Sequence, residues 1–178
     1  MERFSILVGD LTRSDAEAIV NAANTTLLGG SGVDGAIHAA AGPELLAECR
    51  TLGGCETGKA KLTRGYHLRA KYVIHTPGPI WQGGGQGEAA LLASCYRSCL
   101  LLAEAHGIRT LDFCSISTGV YGYPVALAAT VALRTIMEFL ADHELPERVR
   151  MVCHTEQTAE IYRQTWNLWY AGDREQRM

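Results

Sequence analysis

Apolar residues along the chain form two kinds of run that alternate from one end to the other. Short, nearly continuous runs such as Phe4–Val8 and Ala18–Ala22 are typical of strands that are buried on both faces of a sheet. Longer segments with apolar residues three and four apart, such as Glu88–His106 and Pro124–Asp142, predict amphipathic helices. Strands and helices that alternate in this way predict an α/β layered sandwich around a largely parallel sheet.

The same patterns predict the remaining elements. Pro43 is placed to open a helix over Glu44–Leu52, and Thr155 is placed to cap a terminal helix. In the terminal helix the predicted buried face consists of Ala159, Tyr162, Trp166 and Trp169. Ser14 or Asp15 could cap a brief helix before Ala18, and the glycine-rich Trp81–Gly87 is interpreted as a flexible connection. Further strands are predicted at Lys59–Thr63, Tyr72–Thr76, Thr110–Ile116 and Val149–Cys153.

Length and composition indicate one domain. The chain has 178 residues, of which 47% are hydrophobic and only five are proline. This favours a single domain over residues 1–172 with a polar, frayed tail over 173–178. The formal net charge is −3 and the basic residues are dispersed, so a DNA-binding surface is not expected.

No membrane or export signal is expected from the sequence. The uncharged stretch Phe113–Leu133 is long enough to span a bilayer, but Gly119, Gly122 and Pro124 interrupt it. The first ten residues contain only a short apolar run and no small-residue cleavage site. We therefore expect a cytoplasmic protein.

The cysteines are expected to be buried thiols in a reducing environment. None of the six lies in a CxxC or Cys/His ligand spacing, and no metal site is expected. Cys95 and Cys99 lie one helical turn apart, but together with Leu92 and Leu102 they form an ordinary core stripe.

A glycine-rich loop in Leu27–Gly42 is the first candidate for chemistry. It contains four glycines within seven residues and then enters a predicted helix over Val33–Ala41. Free backbone N–H groups and the positive end of a helix dipole would then lie beside the glycines and favour an anion such as a phosphate. Asp34 would repel that anion unless it faced another part of the ligand, so it is a candidate for catalysis. It could equally be a first-turn acid that stabilises the helix.

Two further features accompany this loop. Ser117–Pro124 also runs from a strand to a helix, so two anion-binding loops are expected on one rim of the sheet. Asn21 and Asn24 close the preceding strand, and they either bind a ligand or form turns through local backbone hydrogen bonds. Tyr121 and Tyr123 could be loop aromatics that cover the core, an interpretation we prefer for Tyr123.

Gly30, Gly32 and Gly35 spell the GxGxxG fingerprint of dinucleotide-binding folds, which raises the possibility of an oxidoreductase. The context does not fit, because Asn24–Gly29 replaces the required tight turn. A clear acidic residue at the end of a second strand about 20 residues later is also missing.

Taken together, three separated motifs resemble the macro domain family, and specifically its MacroD-like ADP-ribosyl hydrolase class. These motifs are NAAN at residues 21–24, GGSGVDGAIHAAAG at 29–42 and STGVYGYP at 117–124, and Gly9–Thr12 near the start also agrees. The resemblance covers essentially the whole chain. It implies a three-layer α/β/α sandwich with a central, largely parallel mixed sheet.

The resemblance also implies an ADP-ribose cleft at the carboxyl-terminal rim of the sheet. Asp10 is expected to accept a hydrogen bond from the adenine amino group, and His154 to lie near the adenine. Asn24 is expected to bind the distal ribose, and Tyr121 to pack against that ribose and help to place the diphosphate; both are expected to act in catalysis together with Asp34. Asp34 is expected to orient or activate the attacking water, with a substrate α-phosphate oxygen sharing this task. The residues expected along the ligand are Gly9, Asp10, Leu11, Ala22, Asn24, Gly30, Ser31, Gly32, Val33, Ser117, Thr118, Gly119, Val120, Tyr121 and His154.

The implied activity is metal-independent hydrolysis of esters on the distal ribose, without a cofactor. Substrates would be O-acetyl-ADP-ribose or proteins mono-ADP-ribosylated on acidic side chains. Two alternatives stay open, a non-catalytic reader of ADP-ribose and a phosphatase acting on ADP-ribose 1″-phosphate. Three departures from the family pattern are Ser31 in place of glycine, Ala39 in place of arginine, and Phe113–Ile116 without the usual proline and alanine. His38, one turn after Asp34, is more often a structural residue at such a position.

Overall fold

The strands form a single mixed sheet in a computed structural model that describes residues 2–171. The strand order is β1-β6-β5-β2-β4-β3, and all neighbours are parallel except β3 and β4, which pair in the antiparallel sense. The α/β sandwich with a largely parallel mixed sheet is therefore confirmed. The strands are β1 (Phe4–Val8), β2 (Ala18–Ala23), β3 (Lys61–Arg64), β4 (Tyr72–Pro77), β5 (Thr110–Phe113) and β6 (Arg148–Cys153).

The helices form two groups that cover the two faces of the sheet. In β4, His75 contacts Cys49 from one group, whereas the next residue, Thr76, lies beside Cys95 from the other. This alternation is expected because successive strand side chains point to opposite faces. The first group contains α1 (Gly32–Ala41) and α2 (Pro43–Arg50), and the second contains α3 (Glu88–Ala105), α4 (Val125–Asp142) and α5 (Glu156–Trp166).

The predicted helix faces form the core. Leu92, Cys95 and Cys99 of α3 are buried and Leu102 is partly buried against them. All six cysteines are free and buried, and burial raises the pKa of Cys114 to about 12. The predicted core face of α4, which consists of Ala129, Leu133, Ile136 and Leu140, is buried as well.

Two predicted helical features are wrong. Residues 14–17 form no helix, and Ser14 instead ends a short 3-10 helix, Leu11–Arg13, and donates its hydroxyl hydrogen to Asp112 Oδ2 at 2.6 Å. Trp169 does not share the buried face of α5 and is 51% exposed. The reason is that α5 passes into a π-helix at Asn167–Ala171, which changes the spacing of the side chains.

Two loops also differ from expectation. The strand β5 ends at Phe113 rather than Ile116, since the backbone of Cys114 and Ile116 bonds to the Tyr96 hydroxyl instead of continuing the ladder. The segment 81–87 is a loop, as predicted, but its backbone is held by the carboxylate of Glu88. That carboxylate accepts hydrogen bonds from the N–H groups of Gln82, Gly84 and Gln86.

No helix within residues 2–171 is long and apolar enough to cross a membrane. In that same part of the chain, no group of three or more His, Cys, Asp or Glu side chains could hold a metal ion. The frayed tail predicted over residues 173–178 lies outside the described residues.

Candidate active site

Four neighbouring parallel strands bring most of the predicted site residues to one rim of the sheet. The strands β1, β6, β5 and β2 lie side by side in that order. Asp10 follows β1, His154 follows β6, Ser117 follows the end of β5, and Asn24 follows β2. The carboxyl ends of adjacent parallel strands are where α/β folds bind ligands. The structure therefore places the two glycine-rich loops and both predicted adenine residues along one edge.

Asn24 shapes the first loop, which is the glycine-rich loop in Leu27–Gly42. Its Oδ1 accepts hydrogen bonds from the N–H groups of Thr26 and Leu27 at 3.2 and 3.1 Å, and its Nδ2 donates to the carbonyl of Gly29 at 2.8 Å. The turn-forming interpretation of Asn24 is thus what the structure shows. Its contact with a ribose stays a prediction.

The helix α1 begins directly at the glycines. Gly32 has φ +61°, a conformation that favours glycine, whereas Ser31 has φ −100° and an extended backbone that any residue adopts. The serine in place of glycine therefore causes no backbone strain. Its side chain makes no capping hydrogen bond, so it leaves the first N–H groups of α1 to other acceptors.

Asp34 is buried at the start of α1 and faces the first loop. It is 4% exposed, and its Oδ1 accepts a hydrogen bond from Asn21 Nδ2 at 2.8 Å. A β-carbon added to Gly30 would lie 2.9 Å from Asp34 Oδ2 and 3.6 Å from Asn24 Nδ2. The second carboxylate oxygen and the Asn24 amide therefore border the same space beside Gly30.

His38 lies against this carboxylate from the next turn of α1. Its Nε2 is 3.4 Å from Asp34 Oδ1, but the contact lacks hydrogen-bond geometry. The ring also borders a cleft of about 470 Å³ with Gly29, Gly30 and Ala39. The structure therefore places His38 beside Asp34, where it shields the carboxylate on one side.

A polar network that the sequence did not reveal lies behind Asp34. Asn21 Nδ2 is 3.2 Å from His75 Nδ1, and His75 Nε2 is 2.9 Å from Thr63 Oγ1. All three side chains are fully buried. Asn21 was expected to bind a ligand or to form a turn through local backbone hydrogen bonds, but its Nδ2 bonds to the side chain of Asp34. His75 and Thr63 had no sequence signal beyond being polar residues inside predicted strands.

The second loop, Ser117–Pro124, is strained where it leaves the sheet. Ser117 has φ +66°, unusual for a residue with a side chain, and its buried Oγ has no hydrogen-bond partner within residues 2–171. Gly78 packs so closely on Ser117 that a β-carbon there would overlap the hydroxyl. Strain of this kind is common where a loop is shaped for a ligand. Thr118, next along the loop, donates its hydroxyl hydrogen to the Ser115 carbonyl at 3.1 Å.

Trp81 supports the second loop from outside the sheet. The backbone N–H of Trp81 donates to the carbonyl of Tyr121 at 2.9 Å. The centroid of the Trp81 ring lies 4.6 Å from that of the buried Tyr123. Tyr123 therefore covers the core, as preferred from the sequence. Tyr121 is partly exposed and Gly119 and Val120 are exposed, so these parts of the loop are accessible to a ligand.

Asp10 and His154 occupy the far end of the rim. Asp10 Oδ1 accepts hydrogen bonds from the Thr12 hydroxyl at 2.7 Å and its N–H at 3.0 Å, which lower the pKa of Asp10. His154 is exposed, and its charge lowers the Asp10 pKa slightly further. Gly9, between them, donates its N–H to the carbonyl of Cys153 at 3.0 Å. Asp10 is therefore an ionised acceptor at neutral pH.

The buried His75 predicts a specific dependence of stability on pH. Burial, and then the charge of His38, lowers the pKa of His75 to about 3 from an ordinary 6.5. The unfolded chain therefore takes up a proton below pH 6.5 while the folded chain does not, and stability falls as the pH falls toward 3. Relative to a His75→Gln variant, we expect the wild type to lose about 2 kcal/mol more unfolding free energy between pH 7 and pH 5. Urea unfolding of both proteins at the two pH values measures this difference, and parallel losses would contradict it.

Comparison of the sequence with protein families and relatives gives one consistent result. Residues 20–132 match the model of the Macro domain family. A macro domain-containing protein of Chlorobaculum tepidum is 59% identical over 86% of this chain and 89% of its own length. An O-acetyl-ADP-ribose deacetylase of Salmonella gallinarum is 54% identical over 90% of this chain and 92% of its own length.

Solved structures agree with the sequence comparison. The Oceanobacillus iheyensis macrodomain with ADP has a TM-score of 0.91 and 42% identity, and the match covers 95% of this chain and 92% of that one. The Trypanosoma brucei macrodomain in complex with ADP-ribose has a TM-score of 0.86 and 45% identity, over 91% of this chain and 68% of that one.

Proposed function

Since the chain belongs to the macro domain family, we propose that it is a hydrolase of esters carried on the distal ribose of ADP-ribose. O-acetyl-ADP-ribose and proteins mono-ADP-ribosylated on acidic side chains are its proposed substrates. Relatives named O-acetyl-ADP-ribose deacetylase, at 54% identity over nine-tenths of the chain, support this proposal. Solved macrodomain structures that contain ADP or ADP-ribose support ADP-ribose as the proposed ligand.

The position of Asp34 is the observation that carries the proposal. One carboxylate oxygen is held by Asn21, and the other borders the space beside Gly30 together with the Asn24 amide. A helix-capping acid would need only the N–H groups of its own helix. Asp34 instead bonds to a side chain of β2 through Oδ1, and its Oδ2 faces Gly30 of the first loop.

The proposed reaction uses Asp34 as the group that orients and deprotonates water. The water oxygen forms a bond to the ester carbonyl carbon while its proton passes to Asp34 Oδ2, aided by a substrate α-phosphate oxygen. The tetrahedral intermediate then collapses, the bond between the carbonyl carbon and the ribose oxygen breaks, and the proton passes to that oxygen. The products are a carboxylic acid and ADP-ribose, and no redox change occurs.

The proposed binding roles follow the rim of the sheet. The diphosphate lies between the backbone N–H groups of Gly30–Val33 and those of Ser117–Tyr121, where fixed dipoles can hold an anion in a chain with a net charge of −3. Asp10 accepts from the adenine amino group, and Leu11, Ala22 and His154 line the cleft. Six free, buried thiols support the further proposal of a reducing, cytoplasmic location.

Product release from defined substrates tests the proposal. The purified chain is incubated with O-acetyl-ADP-ribose and, separately, with ADP-ribose 1″-phosphate, while calorimetry measures ADP-ribose binding. The proposal predicts release of acetate with ADP-ribose from the first substrate. Tight binding with no release from either substrate would favour a reader, and phosphate release alone would favour a phosphatase.

The second loop gives a prediction on affinity. Gly119 has no neighbour within 4 Å of an added β-carbon, so a larger side chain fits the fold and occupies space that we assign to the diphosphate. We expect Gly119→Val to weaken ADP-ribose binding at least about tenfold, or ~1.4 kcal/mol. Gly85→Val, which also meets open space but lies outside the rim, is the control. Equal affinities in the two variants would place the ligand elsewhere.

A further inference from the structure

A continuous line of side-chain contacts runs from Asp34 across the sheet to its edge strand. Asp34 Oδ1 accepts from Asn21 Nδ2 at 2.8 Å, and the same nitrogen lies 3.2 Å from His75 Nδ1. On the other side of the ring, His75 Nε2 lies 2.9 Å from Thr63 Oγ1. The line crosses from α1 through β2 and β4 to β3, and each of its four residues is buried.

The hydrogen-bond partners of His75 determine which of its two ring nitrogens carries the proton. The Thr63 hydroxyl lies 3.2 Å from the Arg64 carbonyl, to which it can only donate, and it can then accept from a proton on Nε2. A neutral ring with its proton on Nε2 has a lone pair on Nδ1. That lone pair accepts the second hydrogen of Asn21 Nδ2, whose first hydrogen goes to Asp34. The opposite tautomer would set two donors against each other at 3.2 Å.

The surroundings keep the ring neutral. His75 is completely buried, and its pKa is lowered to about 3 by burial and then by the charge of His38, whose ring centroid lies 6.4 Å away. Cys49 Sγ is the other group near Nε2, at 3.9 Å. Burial raises the pKa of the Cys49 thiol to about 11, so it stays uncharged as well. At neutral pH the ring is therefore uncharged and carries one proton, on either Nδ1 or Nε2.

We propose that His75 is a positioning residue for ester hydrolysis, which fixes the amide of Asn21 and through it the carboxylate of Asp34. With Oδ1 held from behind, Oδ2 is presented to the space beside Gly30. Thr63, on the edge strand, selects the tautomer of His75 that permits this. The inference rests on the proposed function, since it assigns a role in the same reaction.

Stability alone does not account for the arrangement. Within residues 2–171, the buried Asn21 Oδ1 has no hydrogen-bond partner, and an unpaired buried acceptor costs about 1–3 kcal/mol. An apolar side chain at residue 21 would avoid that cost. The Asn21 amide instead adopts the orientation in which both of its hydrogens have acceptors. A role in holding Asp34 explains why an amide is present at this position despite the cost.

A matched pair of substitutions at His75 tests the proposal. In His75→Asn the side-chain oxygen can replace the Nδ1 acceptor, whereas in His75→Gln the amide nitrogen can replace only the Nε2 donor. We expect His75→Gln to lower kcat for O-acetyl-ADP-ribose about 10- to 100-fold with KM and ADP-ribose affinity unchanged. His75→Asn should keep kcat within about threefold of the wild type, since the acceptor is retained. Equal kcat values in the two variants, or losses confined to KM, would overturn the proposal.

A second pair keeps the test decisive if the His75 variants do not fold. Thr63→Val removes the hydroxyl that selects the tautomer, and Thr63→Ser retains it. Nitrogen NMR of the His75 ring should show the proton on Nε2 in the wild type and Thr63→Ser, and a mixture in Thr63→Val with kcat lowered about 3- to 10-fold. A wild-type proton on Nδ1 would overturn the inference alone. A wild type that binds ADP-ribose but hydrolyses neither O-acetyl-ADP-ribose nor a mono-ADP-ribosylated acidic protein would overturn the proposed function and this inference together.

Discussion

Asp34→Ala is expected to lower kcat/KM for O-acetyl-ADP-ribose about 10³-fold, within the range for loss of a general base. ADP-ribose affinity should stay within about threefold, because a carboxylate with the proposed role acts mainly in the transition state. The buried carboxylate presents only one oxygen to the site, and its other oxygen is committed to Asn21. Initial rates of acetate release and calorimetry with ADP-ribose measure the two quantities on the same preparation.

Two variants control this prediction. Asp34→Asn keeps the size of the side chain and removes its basicity, so it should lose nearly as much rate as Asp34→Ala. Asp10→Ala removes an acceptor at the end of the rim where we propose that adenine binds, and it should weaken ADP-ribose binding with little change in kcat. An Asp34→Ala protein that lost affinity but still turned over bound substrate would contradict the assigned role.

Gly30→Ala is expected to lower kcat about 100-fold without unfolding the protein. The added β-carbon would lie 2.9 Å from Asp34 Oδ2, closer than such atoms normally approach, so the carboxylate must move away. An ordinary contact begins at 3.4 Å, so the carboxylate must shift by at least about half an ångström, and misplacement of a reacting group on the scale of 1 Å can cost about 10²-fold in rate. Gly30 does not have a positive φ, so alanine can adopt its backbone conformation. Rates are measured with O-acetyl-ADP-ribose, and unfolding is followed in urea.

The control for Gly30→Ala is Gly85→Ala. Gly85 lies in the loop before α3, where an added β-carbon meets nothing within 4 Å. This variant should match the wild type in rate and stability. A Gly30→Ala protein with wild-type kcat would show that the space beside Gly30 is not where the reaction takes place.

Local patterns were enough to predict the layered fold. Alternating short apolar runs and amphipathic segments located the six strands and five α-helices found within residues 2–171, because burial on two faces or on one stripe leaves a periodic trace in the sequence. Errors arose where the backbone hydrogen bonds departed from the regular pattern of a strand or an α-helix. The strand β5 stops early because the Tyr96 hydroxyl takes over its backbone hydrogen bonds, and the π-helix at Asn167–Ala171 turns Trp169 outward.

The candidate site was only partly visible in the sequence. Loop glycines and the position of Asp34 at a helix start carried a local signal, and the resemblance to a family supplied the expected ligand. The network behind Asp34 had no such signal, since it depends on the register that sets Asn21 of β2 beside His75 of β4. Contacts between residues 54 positions apart follow from strand pairing, which short-range patterns do not specify.

Single-turnover hydrolysis tests the central claim most directly. Wild type and Asp34→Asn, each in excess over O-acetyl-ADP-ribose at concentrations that bind it fully, are quenched at intervals and assayed for acetate. With binding saturated and product release excluded, the rate reports the chemical step alone. We expect rapid conversion by the wild type and a rate about 10³-fold lower for Asp34→Asn. Equal rates for the two proteins would contradict it.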